Sequence, residues 1–233
     1  MQALVDRYLQ HLASERRLSP HTVEAYRRDL VLLVAYSDQQ SLPDIGHWRE
    51  YGQDVDAAWA EAQRLVGADL PRVQFAHSNG ALITLEALAE NPRRWNLAGA
   101  IISSPFLALR LPVPAIKRWA AQAASRVWPS LSMPNELTPA MLTRDPERQA
   151  ARATDTLSNN NATARWFTEA SAAQARVRAG ANRIDLPTLW VVSDGDQIAD
   201  PAVAKTVASA LATPARYLGL AGVPHEGFND TAR

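Results

Sequence analysis

The order of the secondary-structure elements constrains this chain more than any other feature. From about residue 73, short apolar segments typical of strands alternate with helical segments of about ten residues. Strands separated by helices of this length form parallel sheets with right-handed crossovers. The predicted elements are strand 73–76, helix 81–90, strand 97–102, strand 188–192, helix 202–211 and strand 216–220. The chain is therefore predicted to fold as an α/β protein around a parallel sheet.

Residues 106–183 interrupt this alternation. The segment is punctuated by Pro, helical in pattern and rich in Ala, Trp and Leu. We expect it to form a helical lid, inserted over one end of the sheet. Upstream of the sheet, apolar stripes at helical spacing predict helices over residues 3–13, 20–34 and 48–65. The first two of these helices are expected to form an all-α hairpin.

Composition and charge exclude several classes of protein. Of the 233 residues, 47% are hydrophobic and 21% are charged, which is enough apolar surface for one sizeable core. The 24 basic and 24 acidic residues cancel, which disfavours nucleic-acid or polybasic membrane binding by the whole chain. The chain has no Cys, so disulfides, thiolate metal sites and a Cys nucleophile are excluded. No secretory signal or membrane-spanning window is visible, and the expected location is the cytoplasm.

The central chemical motif is Ala76-His77-Ser78-Asn79-Gly80, between a predicted strand and a predicted helix. A serine on such a sharp turn projects its hydroxyl above the sheet edge, and small residues are expected two positions before and after it, where the backbones crowd. The helix directs its positive end at developing negative charge, and the backbone N–H of Asn79 is a candidate oxyanion donor. The motif predicts a serine nucleophile, with a polar turn and a capping Ser as the alternative.

A serine nucleophile needs a base and an orienting carboxylate, and candidates for both follow later strands. Asp196 comes directly after one predicted strand, and His225 follows the last one. Both are therefore expected at the same sheet edge as Ser78, in the chain order Ser, acid, His. Asp194 and Asp200 remain alternative acids. Turn formation, helix capping and a cation-binding loop are the alternative roles of these three Asp residues.

The other histidines are His11, His21, His47 and His77, and they show no metal-ligand spacing. His77 is expected to point away from Ser78 and to fill space in the structure. We expect neither a metal ion nor a cofactor.

A further set of segments occurs in the order found in one known family. The set comprises the serine turn 76–80, the strand exit 101–106, lid segments 137–138, 142–147, 155–157 and 163–166, acid-loop segments 186–189, 195–196 and 200–201, and the histidine loop 224–226. From about residue 51 the chain thus resembles α/β-hydrolases of the monoglyceride lipase and lysophospholipase type, which are serine aminopeptidase S33-like. The resemblance implies an esterase of acylglycerols or lysophospholipids that forms an acyl-enzyme on Ser78, with Asp196 as orienting acid and His225 as base.

By the same resemblance, residues 106–183 are a lid that binds the acyl chain of the substrate. The candidate substrate contacts in this lid are Phe106, Leu107, Leu111, Trp119 and Trp128. A role in the hydrophobic core remains equally open for these residues, because Leu and Trp at helical spacing are common in cores.

The first 42 residues carry a second resemblance. The helix 4–12, the charged turn 14–18 and the segment 19–30 resemble the opening hairpin of the core-binding (SAM-like) domain of tyrosine recombinases and phage integrases. The recombinase catalytic domain is absent, so recombination is excluded. Residues 1–42 hold five Arg and five acidic residues, and this balance predicts no sequence-specific DNA binding. The candidate DNA contacts of this segment are Arg17, His21, Thr22, Tyr26 and Arg27.

The chain is thus predicted to join a recombinase-like segment, residues 1–47, to a partial hydrolase domain, residues 48–233. We expect the strands that precede the serine turn in the family to be missing, together with the loop that donates the second oxyanion N–H. Strand 73–76 would then lie at the sheet edge, which favours self-association, and ester turnover would be impaired. A catalytically inactive fusion with a DNA-binding segment is the alternative.

Overall fold

The computed structural model describes residues 10, 27, 48–67, 70–110, 113–155 and 160–231. The chain divides into two units, Met1–Gly46 and His47–Arg233. In the first unit Gln10 and Arg27 are described, and both are helical and exposed. The rest of the predicted N-terminal hairpin lies outside the described residues. Four of the five candidate DNA contacts also lie outside the described residues, namely Arg17, His21, Thr22 and Tyr26.

The second unit contains the α/β fold. Its helices are α1 (Trp48–Val66), α2 (Ser78–Glu90), α3 (Ala115–Val127), α4 (Pro139–Leu142), α5 (Pro146–Thr154), α6 (Ala164–Gly180) and α7 (Pro201–Ser209). Its strands are β1 (Val73–His77), β2 (Gly99–Ser103), β3 (Ser132–Pro134), β4 (Asn161–Thr163), β5 (Thr188–Ser193) and β6 (Arg216–Leu220). Short 3₁₀ turns cover Ala181–Arg183 and Gly227–Asn229.

The elements predicted for this unit are present, and their ends differ by a few residues. Helix α2 begins at Ser78 rather than at residue 81, because the chain passes directly from β1 into the helix. Strand β2 covers Gly99–Ser103 rather than 97–102, and α7 ends at Ser209 rather than at 211. The hydrophobic pattern locates an element, whereas the backbone hydrogen bonds decide where it ends.

Four strands form a parallel sheet in the order β1-β2-β5-β6. On the central strands, Ile102 lies beside Trp190, and both side chains are fully buried. Large apolar side chains are expected here because helices cover both faces of a parallel sheet. The predicted α/β class and its parallel sheet are confirmed. All four strands run in one direction, so their carboxyl ends meet at one edge of the sheet.

Helix α2 is the most deeply buried helix of this unit among those described. Its Leu82, Leu85 and Leu88 are completely buried, and it packs against α6 of the lid. A helix that is apolar on most of its surface needs such cover on several sides. The residue after β1 is therefore held in place by the core.

A buried carboxylate joins three of the helices. Glu86 on α2 accepts hydrogen bonds from the indole Nε1 of Trp48 on α1 and from the guanidinium of Arg176 on α6. Both nitrogen donors lie within 2.6 Å of the Glu86 oxygens. A buried charge is tolerated where such donors surround it. Glu86 thus fixes the positions of α1 and the lid relative to the sheet.

The segment between β2 and β5 is the helical insertion that the sequence predicts. It contains helices α3 to α6 and an antiparallel pair of short strands, β3 and β4. Helix α6 packs against α2 on one side and against α3 on the other. The insertion therefore forms a second layer above the helix that follows β1.

None of the described helices has the length and hydropathy that would let it cross a membrane. Helix α1 has 19 residues, but charged side chains interrupt it from its first turn onward. Helix α6 has 17 residues, and three of them are Arg. Arg165 lies at the start of this helix, and Arg178 lies in its last turn.

Strand β1 is the outermost strand at one end of the described sheet. Its Val73 and Phe75 side chains are 55% and 53% exposed. The aromatic ring of Phe75 contacts that of Phe228 edge to face, with 5.8 Å between the ring centroids. Among the described strands, β1 therefore has the edge position that the sequence predicts. Its carboxyl end, where Ser78 follows, is nevertheless packed against the histidine loop.

The burial of β2 predicts a large cost for truncating its core side chain. Ile102→Ala should lower the free energy of unfolding by about 2 to 5 kcal/mol, because a cavity opens between sheet and helices. Leu218→Ala on the edge strand β6 is the matched control: this side chain is 50% exposed, and the loss should stay below about 1 kcal/mol. Urea denaturation of both variants measures the difference, and equal losses would contradict the assigned core.

Candidate active site

Ser78 lies on the sharp turn between β1 and α2. Its φ angle is 52°, in the left-handed region that residues with a Cβ rarely adopt. Strain of this kind persists only where the surroundings enforce it, and here the buried helix α2 and a hydrogen bond from Phe106 N to Ser78 O, 3.1 Å long, do so. The serine hydroxyl is thereby lifted above the carboxyl edge of the sheet.

One detail of the predicted turn is wrong. The sequence predicts small residues on both sides of Ser78, because the backbones crowd there. Ala76 agrees with this prediction, since only 5% of its surface is exposed. A Cβ added to Gly80, however, would meet no heavy atom of the described residues within 4 Å. Gly80 lies in the first turn of α2, where the helix surface faces open space. The side of the turn before Ser78 is therefore the crowded one.

The structure brings Ser78, His225 and Asp196 together. The Nε2 atom of His225 lies 2.8 Å from the Ser78 hydroxyl oxygen, and its Nδ1 atom lies 2.6 Å from Oδ2 of Asp196. With a neutral His225, Nδ1–H donates to the carboxylate and Nε2 accepts the serine proton. His225 and Asp196 are each 3% exposed, so water competes little for these hydrogen bonds.

The carboxylate of Asp196 is held from both ends. Its Oδ1 atom accepts hydrogen bonds from the backbone N–H groups of Ile198 and Ala199, at 2.8 and 3.0 Å. Its Oδ2 atom faces His225. Three donors compensate for the burial of the negative charge. They also fix the plane of the carboxylate, and through it the orientation of the imidazole ring.

The two alternative acids have other partners. Asp194 accepts a hydrogen bond from the backbone N–H of Gly222 and so joins the turn after β5 to the turn after β6. Asp200 caps the start of α7 by accepting from Ala202 N at 2.9 Å. Of the three Asp residues, Asp196 is therefore the one bonded to His225. Within the described part of the chain, no group of three His, Asp or Glu side chains is arranged to hold a metal ion.

Asn79 is the second residue of α2. Its backbone N–H belongs to the first turn of the helix, where N–H groups have no partner within the helix. The N–H groups of this turn point out of the helix start, next to the Ser78 hydroxyl. This position suits a donor to an oxyanion that forms on a carbonyl attacked by Ser78.

His77 is closer to the site than the sequence predicts. Its ring lies 4.8 Å from the ring of His225, centroid to centroid, and contacts Phe228 edge to face at 4.9 Å. Its Nδ1 atom lies 3.2 Å from the hydroxyl oxygen of Ser103 at the end of β2. Burial, followed by the charge of His225, lowers the pKa of His77 from 6.5 to about 4. His77 is therefore neutral at neutral pH and supports one side of the His225 ring.

The loop that carries His225 is also bonded to the lid. The backbone N–H groups of His225 and Glu226 donate to the carbonyl oxygens of Met141 and Leu142 at the end of α4, at 3.3 and 2.8 Å. These bonds anchor the base of the candidate triad to the insertion. Neither residue of α4 carries a sequence signal for this role, because backbone atoms make the contacts.

An ion pair between a buried carboxylate and a half-exposed guanidinium strengthens the same connection. Asp230, whose side chain is fully buried, accepts hydrogen bonds from the backbone N–H and the guanidinium of Arg144. These hydrogen bonds hold the pKa of Asp230 below its ordinary value. The hydroxyl of Thr143 donates to the carbonyl oxygen of Asn229 at 2.9 Å. Residues 143–144 and 229–230 thus clamp the lid to the histidine loop.

The predicted lid contacts fall into three groups. Phe106 and Leu107 are 8% and 0% exposed and belong to the hydrophobic core. Trp119 lines a cavity of about 600 Å³ between α3, α6 and α7, and Trp128 is 61% exposed. Leu111 lies outside the described residues. Periodicity alone does not separate these environments.

Comparison with known proteins identifies two kinds of relative. The chain is 29% identical over 194 residues to phospholipase YtpA of Bacillus subtilis, an alignment that spans 81% of this chain and 72% of that protein. It is 46% identical over 56 residues to tyrosine recombinase XerC of Pseudomonas syringae pv. tomato, which covers 22% of this chain and 19% of the recombinase. Both resemblances inferred from the sequence are therefore confirmed, the second over a short stretch.

The fold has a counterpart among solved structures. The monoacylglycerol lipase of Paleococcus ferrophilus superposes with a TM-score of 0.71 at 24% identity, over 79% of this chain and 69% of the lipase. At this identity the likeness shows the fold. The model of the family described as serine aminopeptidase, S33, matches residues 36–232. This match spans most of the chain, and the protein belongs to the serine aminopeptidase S33 family of α/β-hydrolases.

Proposed function

We propose that the protein hydrolyses carboxylic esters through a catalytic triad of Ser78, His225 and Asp196. The observation that carries the proposal is the continuous chain of contacts from the serine oxygen through His225 to the Asp196 carboxylate, at 2.8 and 2.6 Å. These distances lie in the range of hydrogen bonds that transfer a proton during catalysis. The membership of the chain in a hydrolase family supports the same function.

In the first half of the proposed reaction, His225 Nε2 takes the proton of Ser78 as the serine oxygen attacks the ester carbonyl carbon. The carbonyl oxygen becomes an oxyanion, to which the backbone N–H of Asn79 donates. His225 then gives the proton to the alcohol oxygen, the C–O bond breaks, and an acyl group remains on Ser78. In the second half, His225 takes a proton from water as the water oxygen attacks the acyl carbonyl carbon. The bond between the acyl carbon and the Ser78 oxygen then breaks, His225 returns the proton to that oxygen, and the acid is released.

We further propose that the ester is an acylglycerol or a lysophospholipid. Two relatives support this class, since the Bacillus subtilis protein is named a phospholipase and the Paleococcus ferrophilus structure a monoacylglycerol lipase. The insertion offers apolar side chains such as Trp119 for an acyl chain, along the cavity between α3, α6 and α7. A panel of p-nitrophenyl esters of increasing acyl length measures the preference.

Removal of the proposed nucleophile should abolish both turnover and covalent modification. Ser78→Ala is expected to lower p-nitrophenyl butyrate hydrolysis by at least about 10³-fold and to prevent labelling by a fluorophosphonate, because no hydroxyl remains to attack. The control is Ser130→Ala, which alters an exposed serine in a turn of the lid. Labelling that persists in Ser78→Ala would show a different nucleophile. A wild-type protein that neither labels nor turns over esters would favour the inactive alternative.

The role of Asp196 is tested by a matched pair of amide variants. In Asp196→Asn the amide oxygen can still accept from Ile198 N, but the NH₂ group faces His225 Nδ1 and favours the wrong tautomer. The turnover number should fall by about 10³- to 10⁴-fold with little change in stability. Asp200→Asn keeps a helix cap and should retain wild-type turnover, since Asn caps helices as well as Asp. Equal losses in both variants would contradict the assignment of Asp196.

We also propose that His77 positions His225. A neutral ring at 4.8 Å limits the rotation of the His225 imidazole, whereas a protonated His77 would repel the imidazolium that forms in the reaction. The charged groups that face His77 are His225, Glu226 and Asp196. Ser103 fixes the far side of the ring through its hydroxyl.

The lowered pKa of His77 predicts acid sensitivity of the fold. The unfolded chain takes up this proton near pH 6.5 and the folded chain only near pH 4, so the stabilisation is complete above about pH 6.5 and is lost as the pH falls towards 4. Over this interval, wild type should lose about 3 kcal/mol more than His77→Asn, in which the titrating group is absent. Urea denaturation at pH 7.0 and at lower pH values measures both proteins. Parallel pH profiles would show that His77 titrates normally.

A further inference from the structure

Gly80, two residues after Ser78, is a glycine that the fold does not require. It lies in the first turn of α2 and lacks the positive φ angle that favours glycine. A Cβ at this position would meet no heavy atom of the described residues within 4 Å. Glycine also weakens a helix relative to alanine. Neither backbone conformation nor packing therefore explains a glycine here.

Gly80 follows an asparagine, and Asn79-Gly80 is the only Asn-Gly pair in the chain. In such a pair the backbone nitrogen of the glycine can attack the side-chain carbonyl carbon of the asparagine, because no Cβ hinders the approach. Other asparagines have neighbours that hinder or prevent this attack. Leu97 after Asn96 carries a branched side chain, and Pro92 after Asn91 has no N–H. The pair thus marks one position, directly after Ser78.

The two groups that would react are not held by hydrogen bonds within the described part of the chain. The Oδ1 atom of Asn79 is buried and has no hydrogen-bond partner there. The backbone N–H of Gly80 belongs to the first turn of α2, where N–H groups have no acceptor within the helix. His77, the N-cap residue, makes no side-chain hydrogen bond to this turn. The amide and the nitrogen that attacks it are therefore both available.

The location at the start of α2 favours both the reaction and its product. Ring closure turns the backbone of Asn79 out of the helical conformation, and the ends of a helix open more easily than its interior. The first turn of α2 contains no acidic residue. A carboxylate formed at position 79 would be the first negative charge at the positive end of the helix dipole, which stabilises it.

We propose that Asn79 deamidates spontaneously, with Gly80 as the attacking residue. A bond forms between the backbone nitrogen of Gly80 and Cγ of Asn79, and the bond from Cγ to Nδ2 breaks. The side-chain nitrogen leaves as ammonia with the proton of the Gly80 amide, and a succinimide remains. Water then opens this ring at either carbonyl, so position 79 carries aspartate or isoaspartate. Water is the only other reactant.

The modification inactivates the esterase, a consequence that rests on the proposed function. Both products place a carboxylate beside the backbone N–H of position 79, the candidate donor to the oxyanion. Its negative charge opposes the charge that develops on the oxyanion. Isoaspartate also adds a carbon to the main chain between Ser78 and the rest of α2. The protein is therefore expected to lose ester turnover as it ages while it stays folded.

Peptide mass spectrometry of the aged full-length protein tests the modification without any substrate. Tryptic cleavage after Arg72 and Arg93 releases one peptide that contains both Asn79 and Asn91. We expect the mass increase that replaces NH₂ by OH at Asn79 alone, with isoaspartate detected by an isoaspartyl methyltransferase. Asn91 is the internal control, because Pro92 cannot attack it. The rate should rise with pH, since the nitrogen of Gly80 attacks after losing its proton.

Variants of the pair separate the reaction from its effect. Gly80→Ala should slow the modification by more than about tenfold, because its Cβ hinders the attack while the open space around it accommodates the methyl group. Asn79→Gln should slow it too, because a longer side chain must close a larger ring. Asn79→Asp should unfold at or above the wild-type temperature, whereas its turnover of p-nitrophenyl butyrate should fall by more than about tenfold.

Two results would overturn the proposal. They are modification of Asn79 no faster than that of Asn96, and equal rates in wild type and in Gly80→Ala that circular dichroism shows to be folded. Wild-type turnover in Asn79→Asp would overturn the link to activity. Modification of Asn79 in a protein that hydrolyses no ester, even when fresh, would support the site and refute the esterase alone.

Discussion

The buried negative charge of Asp196 is the constraint on which the rest of the site depends. A carboxylate that is 3% exposed requires donors, and the turn after β5 supplies two backbone N–H groups to one of its oxygens. The remaining oxygen is left for a single donor, His225 Nδ1, and this fixes which nitrogen of the ring faces Ser78. The orientation of His225, the proposed base, thus follows from the burial of Asp196, which lies 29 positions earlier in the chain.

The parallel sheet explains why the candidate triad was predictable from the sequence. Ser78, Asp196 and His225 each follow a strand, and strands in parallel order end at one edge whatever their separation along the chain. The strands themselves were recognisable because β2 and β5 consist mostly of apolar residues, which lie at buried or half-buried positions. The α/β class, the strand order along the chain and the three meeting points all follow from local patterns.

Other parts of the site arise only from packing between distant residues. Two contacts join segments that are far apart in the sequence and show no periodic relation: His77 with His225, and Asp230 with Arg144. The open space beside Gly80 likewise depends on what surrounds the helix in three dimensions. Such contacts depend on how the elements are arranged in space, whereas propensity and spacing describe each element by itself. The clamp between the lid and the histidine loop was therefore not predictable, although segment 142–147 matched the family pattern.

The lid shows where hydrophobic periodicity stops being informative. Spacing identifies which residues share a face of a helix, but it does not say what covers that face. Phe106 and Leu107 lie in the core, while Trp119 and Trp128 from the same predicted group are exposed. On α3 the covered face consists of small residues such as Ala121 and Ser125, which permit close approach to α6. Ile116 and Val127 lie on the exposed outer face together with Ala120 and Ala123, so hydrophobicity alone did not decide which side of this helix packs against the protein.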